Sequence, residues 1–314
     1  MIDRRVLRAI AASVLCFALA PRPGVAQQPY HLRVGTAPVE VGALAFYAAD
    51  QGFFKKAGLD VELVAMANGP AIAAAVASGT LDAGSANALS IALAHERGLN
   101  FVYVCPGGAY TSAVPTAGLV VARTSTVQNA KDLSGKTIAV ATLGSIGEIA
   151  TRAWLDQNGV VQGNVKFVEM PYSSMETALT SGRVDAATME EPALDRMLAT
   201  DTRLIAPVYD AISKDFAEGG YFATADFVKA HLDLMRRFNA VISATARWAN
   251  ANPGTTARIL TKYTGIATDD LKHRVRYHDT LDPARVQPLI DAAAKYGALK
   301  ATFPASQIIA QGVQ

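Results

Sequence analysis

The sequence predicts an α/β protein of two lobes, and three observations predict it. Strand-like and helix-like segments alternate along most of the chain, the pattern of mainly parallel sheets covered by helices. One strand–helix unit recurs: Ser78-Gly79-Thr80-Leu81-Asp82-Ala83 returns as Ser181-Gly182-Arg183-Val184-Asp185-Ala186. The displacement, about 100 residues, suits a domain and is too long for a solenoid repeat. Finally, the chain beyond its first residues has room for about two domains and a large core.

The N-terminus reads as a secretory leader over residues 1–26. Arg4, Arg5 and Arg8 give a basic start, and Ala9 to Ala20 is an apolar run too short to span a bilayer. Pro21 breaks it, and Gly24 and Ala26 are the small residues of a cleavage site after Ala26. Cys16 does not make this a lipoprotein signal, because Leu15 precedes it and the cysteine lies inside the apolar run. Cleavage removes four arginines and one aspartate and turns the net charge from +2 to −1. The basic balance therefore belongs to the leader.

In the first unit, His31 to Gly35 is a strand, Val41 to Gln51 a helix ended by Gly52, and Asp60 to Ala65 an alternating strand. Pro70 to Ser78 is an Ala-rich helix with proline in its first turn, stopped at Gly79. Leu81 to Gly84 is a short strand, Ala86 to Arg97 a helix stopped by Gly98, and Phe101 to Cys105 a buried strand. The second unit repeats the order. Lys136 to Ala141 is a strand, and a helix runs from Ser145 to Asn158. The strand Val165 to Met170, the helix Ser174 to Ser181, the strand Val184 to Met189 and a helix from Pro192 follow.

Gly118 to Ala122 and Tyr221 to Thr224 read as the two crossover strands of a hinge. This divides the mature chain into 27–117 (the first part of lobe 1), 118–224 (lobe 2, with the hinge strands at its edges) and 225–314. The last part is expected as helices packed mostly on lobe 1: Asp226–Asn250, Pro253–Thr264, Asp269–His278, Pro283–Tyr296 and a short one from Pro304. Leu232, Met235, Phe238, Val241 and Ile242 form a helical stripe for core packing.

Several function classes find no residues. No Lys/Arg cluster with interleaved aromatics suggests a nucleic-acid partner. No HExxH, CxxC, G-x-S-x-G or P-loop pattern occurs, and the five histidines are scattered. Cys105 is the one cysteine beyond the leader, a buried thiol by expectation and without a motif to make it catalytic. No cofactor or metal is expected.

One segment carries a resemblance. Tyr47-Ala48-Ala49-Asp50-Gln51-Gly52-Phe53-Phe54-Lys55-Lys56-Ala57-Gly58-Leu59-Asp60-Val61-Glu62 is similar to the opening of the nitrate/sulfonate/taurine group of ABC-transporter substrate-binding proteins. That group also includes thiamine-pyrimidine-precursor binders. The two SGxxDA units, Asp132-Leu133-Ser134-Gly135-Lys136 before a strand, and Glu191-Pro192 agree. The resemblance implies a periplasmic-binding-protein type II fold, with two mixed-sheet α/β lobes joined by a two-strand hinge. It also implies a periplasmic monomer that closes on a small solute (a sulfonate, a carboxylate or a pyrimidine-like molecule) and hands it to an inner-membrane ABC permease. Two other roles stay open: a pyrimidine-precursor synthase of the same fold, and a periplasmic sensory receptor.

Candidate ligand-binding residues follow from strand direction, because open α/β sheets bind ligands beyond the carboxyl ends of their strands. These loops hold Pro38, Val39 and Glu40; Asn68; Ser85 and Asn87; Gly144 and Ser145; Tyr172; and Glu190 and Glu191. Ser85 and Ser145 stand before helices, so they either cap them or help hold an anion on free N–H groups. Glu190 and Glu40 either sit solvated or paired at the rim, or face the cleft and favour an amine, an amide or a protonated ring. Tyr110, Tyr172 and Tyr221 offer flat surface to a ligand ring, or pack in the core or hinge. Asp82 and Asp185 recur with the repeat and are assigned to backbone hydrogen bonding rather than catalysis.

Overall fold

The computed structural model describes residues 30–66, 68–161 and 163–314. The expected leader, residues 1–26, lies outside them. The early elements are β1 (His31–Thr36), α1 (Leu44–Asp50), α2 (Phe53–Lys56), β2 (Asp60–Ala65), α3 (Gly69–Ala77), β3 (Ala83–Asn87), α4 (Ala88–Glu96), β4 (Phe101–Pro106) and β5 (Gly108–Thr111). There follow β6 (Ala117–Ala122), β7 (Thr137–Val140), α5 (Ile146–Gln157), β8 (Lys166–Glu169), α6 (Tyr172–Thr180), β9 (Ala186–Glu190), α7 (Ala193–Leu198), β10 (Thr202–Ala206), β11 (Asp215–Ala217) and β12 (Gly219–Thr224). The chain closes with α8 (Ala225–Ala230), α9 (Leu232–Ala251), α10 (Pro253–Thr264), β13 (Arg276–Tyr277) and α11 (Pro283–Lys295).

Two five-stranded mixed sheets result, in the orders β2-β1-β3-β12-β4 and β8-β7-β9-β6-β10. Their parallel cores superpose the repeat: β1 pairs with β2 and β3 as β7 pairs with β8 and β9. Beside the third strand of each core lies one antiparallel strand that follows a crossing, β12 against β3 and β6 against β9. The twice-occurring aspartate has one structural job. Asp82 Oδ2 accepts the Arg33 N–H of β1 (2.8 Å) and Asp185 Oδ2 accepts the Thr137 N–H of β7 (2.9 Å). Each thereby ties the approach to its strand to the neighbouring one. Asp82 is nearly buried and also pairs with the Arg33 guanidinium at 2.9 Å.

The chain crosses between the sheets twice, and the crossings run side by side. β5 and β11 pair antiparallel, with β13 on the other side of β5. This corrects the hinge as read from sequence. Gly118–Ala122 and Tyr221–Thr224 are not the crossing strands but interior strands of the two sheets. Their apolar character reflects burial on both faces. The crossing strands are only four and three residues long, too short to show a strand period in sequence.

The tail differs twice from expectation. The helix expected over Asp269–His278 is absent: a short 3-10 turn at Thr268–Asp270 leads to β13. There the backbones of Arg276 and Tyr277 pair with Ala109 and Gly108, and tertiary pairing overrides local helical pattern. The helix expected over Asp226–Asn250 breaks at His231 into α8 and α9. The expected stripe faces inward, with Met235, Phe238, Val241 and Ile242 buried. Among the described residues no helix is long and apolar enough to cross a membrane.

Glycines let the crossings touch. A Cβ on Gly107 would lie 2.7 Å from Gly219 O and from Gly220 Cα, and one on Gly220 would lie 2.4 Å from Cys105 O. Backbone cannot yield as a flexible side chain can. Gly220→Ala is therefore expected to lower stability by about 3 kcal/mol or more, read as a drop in urea midpoint. Asp82→Ala is expected to cost about 2–3 kcal/mol, because it leaves a part-buried N–H without its acceptor and the Arg33 guanidinium with only Gly79 O. Asp185→Ala, at a half-buried site, should cost less in the same assay.

Candidate functional site

The C-terminal ends of both parallel cores open on one cavity of about 560 Å3. From the first sheet come Val39, the start of α3 at Gly69-Pro70, Ser85, Asn87 and one side of α4. From the second come the loop Ala141–Ile146, Tyr172 and Glu190. Tyr209 and Glu218, on the returning segment, complete the lining.

Local sequence explains how these loops stand. Asn68 caps α3 by accepting the Ala71 N–H (3.0 Å), and Asn87 caps α4 by accepting the Ser90 N–H (2.7 Å). Ser145 caps α5 through the Glu148 N–H (3.3 Å), while Glu148 returns a carboxylate oxygen to the Gly144 N–H at 2.6 Å. That is a capping exchange displaced by one residue. The Leu143 N–H goes to Glu169 (2.9 Å). Resident carboxylates thus occupy donors that an anionic ligand would use, and the helix start at Ser145 is already countered by negative charge. Ser85 is not a cap. Its buried hydroxyl donates to Thr36 Oγ1 (3.1 Å), whose own hydroxyl donates to the Gly42 carbonyl (3.0 Å).

Of the residues singled out in the sequence, Val39, Ser85, Asn87, Gly144, Ser145, Tyr172 and Glu190 come together around the cavity. The others do not line it. Pro38 is half-buried beside it, and Asn68 serves α3. Glu40 is held by the Arg274 guanidinium, which also reaches Tyr47 OH at 3.0 Å. Tyr110 is buried in the hinge sheet, its hydroxyl on Asp210 (2.8 Å) and its ring against Tyr209 and Phe216. Tyr221 is fully buried and braces the turn before α1, donating to Gly42 O and accepting from the Ala45 N–H, both at 2.7 Å. Glu191 turns away and accepts the Asp195 N–H of α7 (3.1 Å). Cys105 is buried in β4, and burial pushes its thiol well up.

Of the lining residues that the sequence does not single out, Tyr209 and Glu218 matter most for the chemistry. The one available signal was a lone Glu inside the otherwise apolar stretch Phe216–Ala223. Glu218 is nearly buried, and its backbone joins the crossings to α4: its N–H donates to Gly108 O (2.9 Å) and its carbonyl accepts from Ala88 (2.8 Å). Its carboxylate accepts from Thr116 Oγ1 (3.3 Å). Glu190 accepts from Tyr209 OH at 2.7 Å and is also hydrogen-bonded to Tyr172.

The site is acidic in composition. Among the described residues its lining contains two carboxyl groups, Glu190 and Glu218, and no Lys, Arg or His. Burial pushes the Glu218 carboxyl up to about 8, with the charge of Glu190 adding to the rise. Burial also raises Glu190, against the two tyrosine hydroxyls that favour its ionised form. Glu218 therefore tends to keep its proton at neutral pH, and among the described residues the lining has no fixed cation to neutralise a carboxylate.

This fixes a sign. A carboxyl that titrates near 4.5 when unfolded and near 8 when folded binds more proton in the native state between those values. Its contribution to stability falls as pH rises through that window. Glu218→Gln is expected to match the wild type near pH 4.5 and to exceed it by about 4–5 kcal/mol above pH 8. Chemical denaturation across pH checks this, and parallel curves for the two proteins would contradict it.

A model of the NMT1/THI5-like family matches residues 42–256, more than half of the chain. A Brucella abortus protein named as a candidate binding protein is 25% identical over 250 residues, covering 72% of this chain and 71% of its own. The periplasmic aliphatic sulphonate binding protein SsuA of Escherichia coli has the same fold, with a TM-score of 0.75 at 19% identity, covering 89% of this chain and 92% of its own. The desulfurization enzyme DSZB also shares it, with a TM-score of 0.69 at 15% identity over 90% and 97% of the two chains.

Proposed function

We propose a transport role from the premise that this chain belongs to the NMT1/THI5-like family: it is the periplasmic solute-binding component of an ABC importer. The lobes are residues 27–117 with most of 225–314, and the segment around the second sheet. They close on a small organic solute and present it to an inner-membrane permease as a monomer. The likeness to a periplasmic sulphonate-binding protein supports the role. So does a cavity of about 560 Å3 between the carboxyl ends of two parallel cores, a size suited to one small molecule.

The observation that carries the ligand class is the pair Glu190 and Glu218 in a lining without a basic side chain. A sulfonate or carboxylate would meet two acidic groups and helix-start donors already engaged by Glu148 and Glu169. An amine, an amidine or a heteroaromatic ring rich in N–H groups would meet acceptors, with Tyr172 offering a flat face. Of the solutes suggested by the sequence, the pyrimidine-like one fits and the anionic ones do not.

The fold also occurs in an enzyme. Binding is favoured here because the cavity lining holds no Cys, His or Lys among the described residues, and Cys105 is sealed in β4.

Calorimetry against amines, aminopyrimidines and sulfonates tests the reading. A cationic solute should bind with release of protons, since a carboxyl held up near 8 must ionise to pair with it. Affinity should rise between pH 6 and 8. Glu190→Gln should weaken binding by about tenfold or more. Tight sulfonate binding that ignores Glu190→Gln would overturn it.

A further inference from the structure

Outside the cavity, two side chains four residues apart meet a third from the distant tail of the chain. Glu191 directly follows β9, Asp195 lies on α7, and His273 comes from the tail just before Arg274. Their ligand atoms all lie within 4.8 Å of one another. His273 Nδ1 is 2.7 Å from Asp195 Oδ1 and 3.8 Å from Glu191 Oε1. These values bracket the separation of about 3.3 Å expected between donors around a tetrahedral ion with bonds near 2.0–2.1 Å.

The geometry points to a divalent transition-metal site formed by Glu191, Asp195 and His273, with zinc as its natural probe.

Backbone orientation carries this beyond a chance cluster. Glu191 Oε2 is anchored by the Asp195 N–H (3.1 Å) and Asp195 Oδ2 by the His273 N–H (3.3 Å). Each carboxylate thus has one oxygen fixed by main chain and turns the other toward the imidazole. This is how outer hydrogen bonds aim metal ligands. The Glu191 side chain is 3% exposed, and its Oε1 takes no hydrogen bond among the described residues. Among the described residues no side-chain oxygen is both sealed from solvent and without a hydrogen bond, so Oε1 stays reachable, faces the imidazole nitrogen and is open to a cation.

The histidine is itself held in position. Its neighbour Arg274 is tied to Glu40 and reaches the Pro253 carbonyl (3.3 Å). The imidazole is 55% exposed, which gives an ion an entry path and leaves room for water or a fourth ligand. One nitrogen with two carboxylates suits zinc or a neighbouring first-row ion, whereas calcium and magnesium want oxygen ligands in greater number. An ion here would join α7, which packs on the second sheet, to the tail segment leading into β13.

The test uses protein without a histidine tag, stripped with chelator and titrated with zinc by calorimetry, with magnesium as control. One saturable zinc per chain is expected. The melting temperature should rise by roughly 3–8 °C at a hundredfold excess over the dissociation constant. His273→Ala and Asp195→Asn should each weaken zinc at least tenfold while keeping the wild-type circular dichroism, and Glu190→Gln should retain it. Absence of saturable zinc binding, an equal effect of magnesium, or zinc binding untouched by His273→Ala and Asp195→Asn would each overturn the assignment.

Discussion

Where the chain passes from one sheet to the other and back, backbone lies directly on backbone, and the rest of the architecture hangs on that contact. Gly107 meets Gly219 and Gly220 with no space for a Cβ between them. The close approach lets β5 and β11 pair and lets β12 slot between β3 and β4. It also sets where Glu218 stands, one residue before Gly219, with its N–H on Gly108 and its carbonyl on the first turn of α4. The acidic character of the cavity is in this sense a consequence of how the crossings are packed.

Duplication explains the rest of the cavity. Two copies of a parallel core, each stapled by the same aspartate, turn the carboxyl ends of their strands toward each other. The copies have diverged at one telling pair of places. At the end of β3, Asn87 spends its side chain on capping α4. At the end of β9, Glu190 reaches Tyr209 instead and brings a carboxyl group to the lining. The same backbone thus presents a neutral edge on one side and an acidic one on the other.

The acidic residues divide by their neighbours. Glu40 is answered by Arg274, and Glu148 by Arg152 at 2.6 Å. Glu190 and Glu218 have only hydroxyl donors, so desolvation prevails and raises both carboxyls, Glu218 to about 8. Glu191 lies between these cases, pushed up to about 7 by burial with His273 nearby. Adjacent in sequence, Glu190 and Glu191 serve opposite faces of their strand end.

The alternation of strands and helices, the repeated hexapeptide and the glycine stops were enough to determine two α/β units and the loops that would form a cavity. These depend on local periodicity and turn chemistry, which a sequence displays. The role of Asp82 and Asp185 was legible for the same reason, since the repeat demanded one structural job for both. What only the tertiary structure decided were the long-range pairings. Arg276-Tyr277 is a strand because β5 lies beside it, against a helical pattern. Tyr221 is a brace rather than ligand surface because the first sheet seals it against the turn before α1, and Tyr110 because it packs inside the hinge sheet. Glu218 and Glu190 share one cavity, though far apart in the chain, because the two crossings bring the sheets into register. Burial, charge and partnership belong to the assembled fold, and no window of sequence contains them.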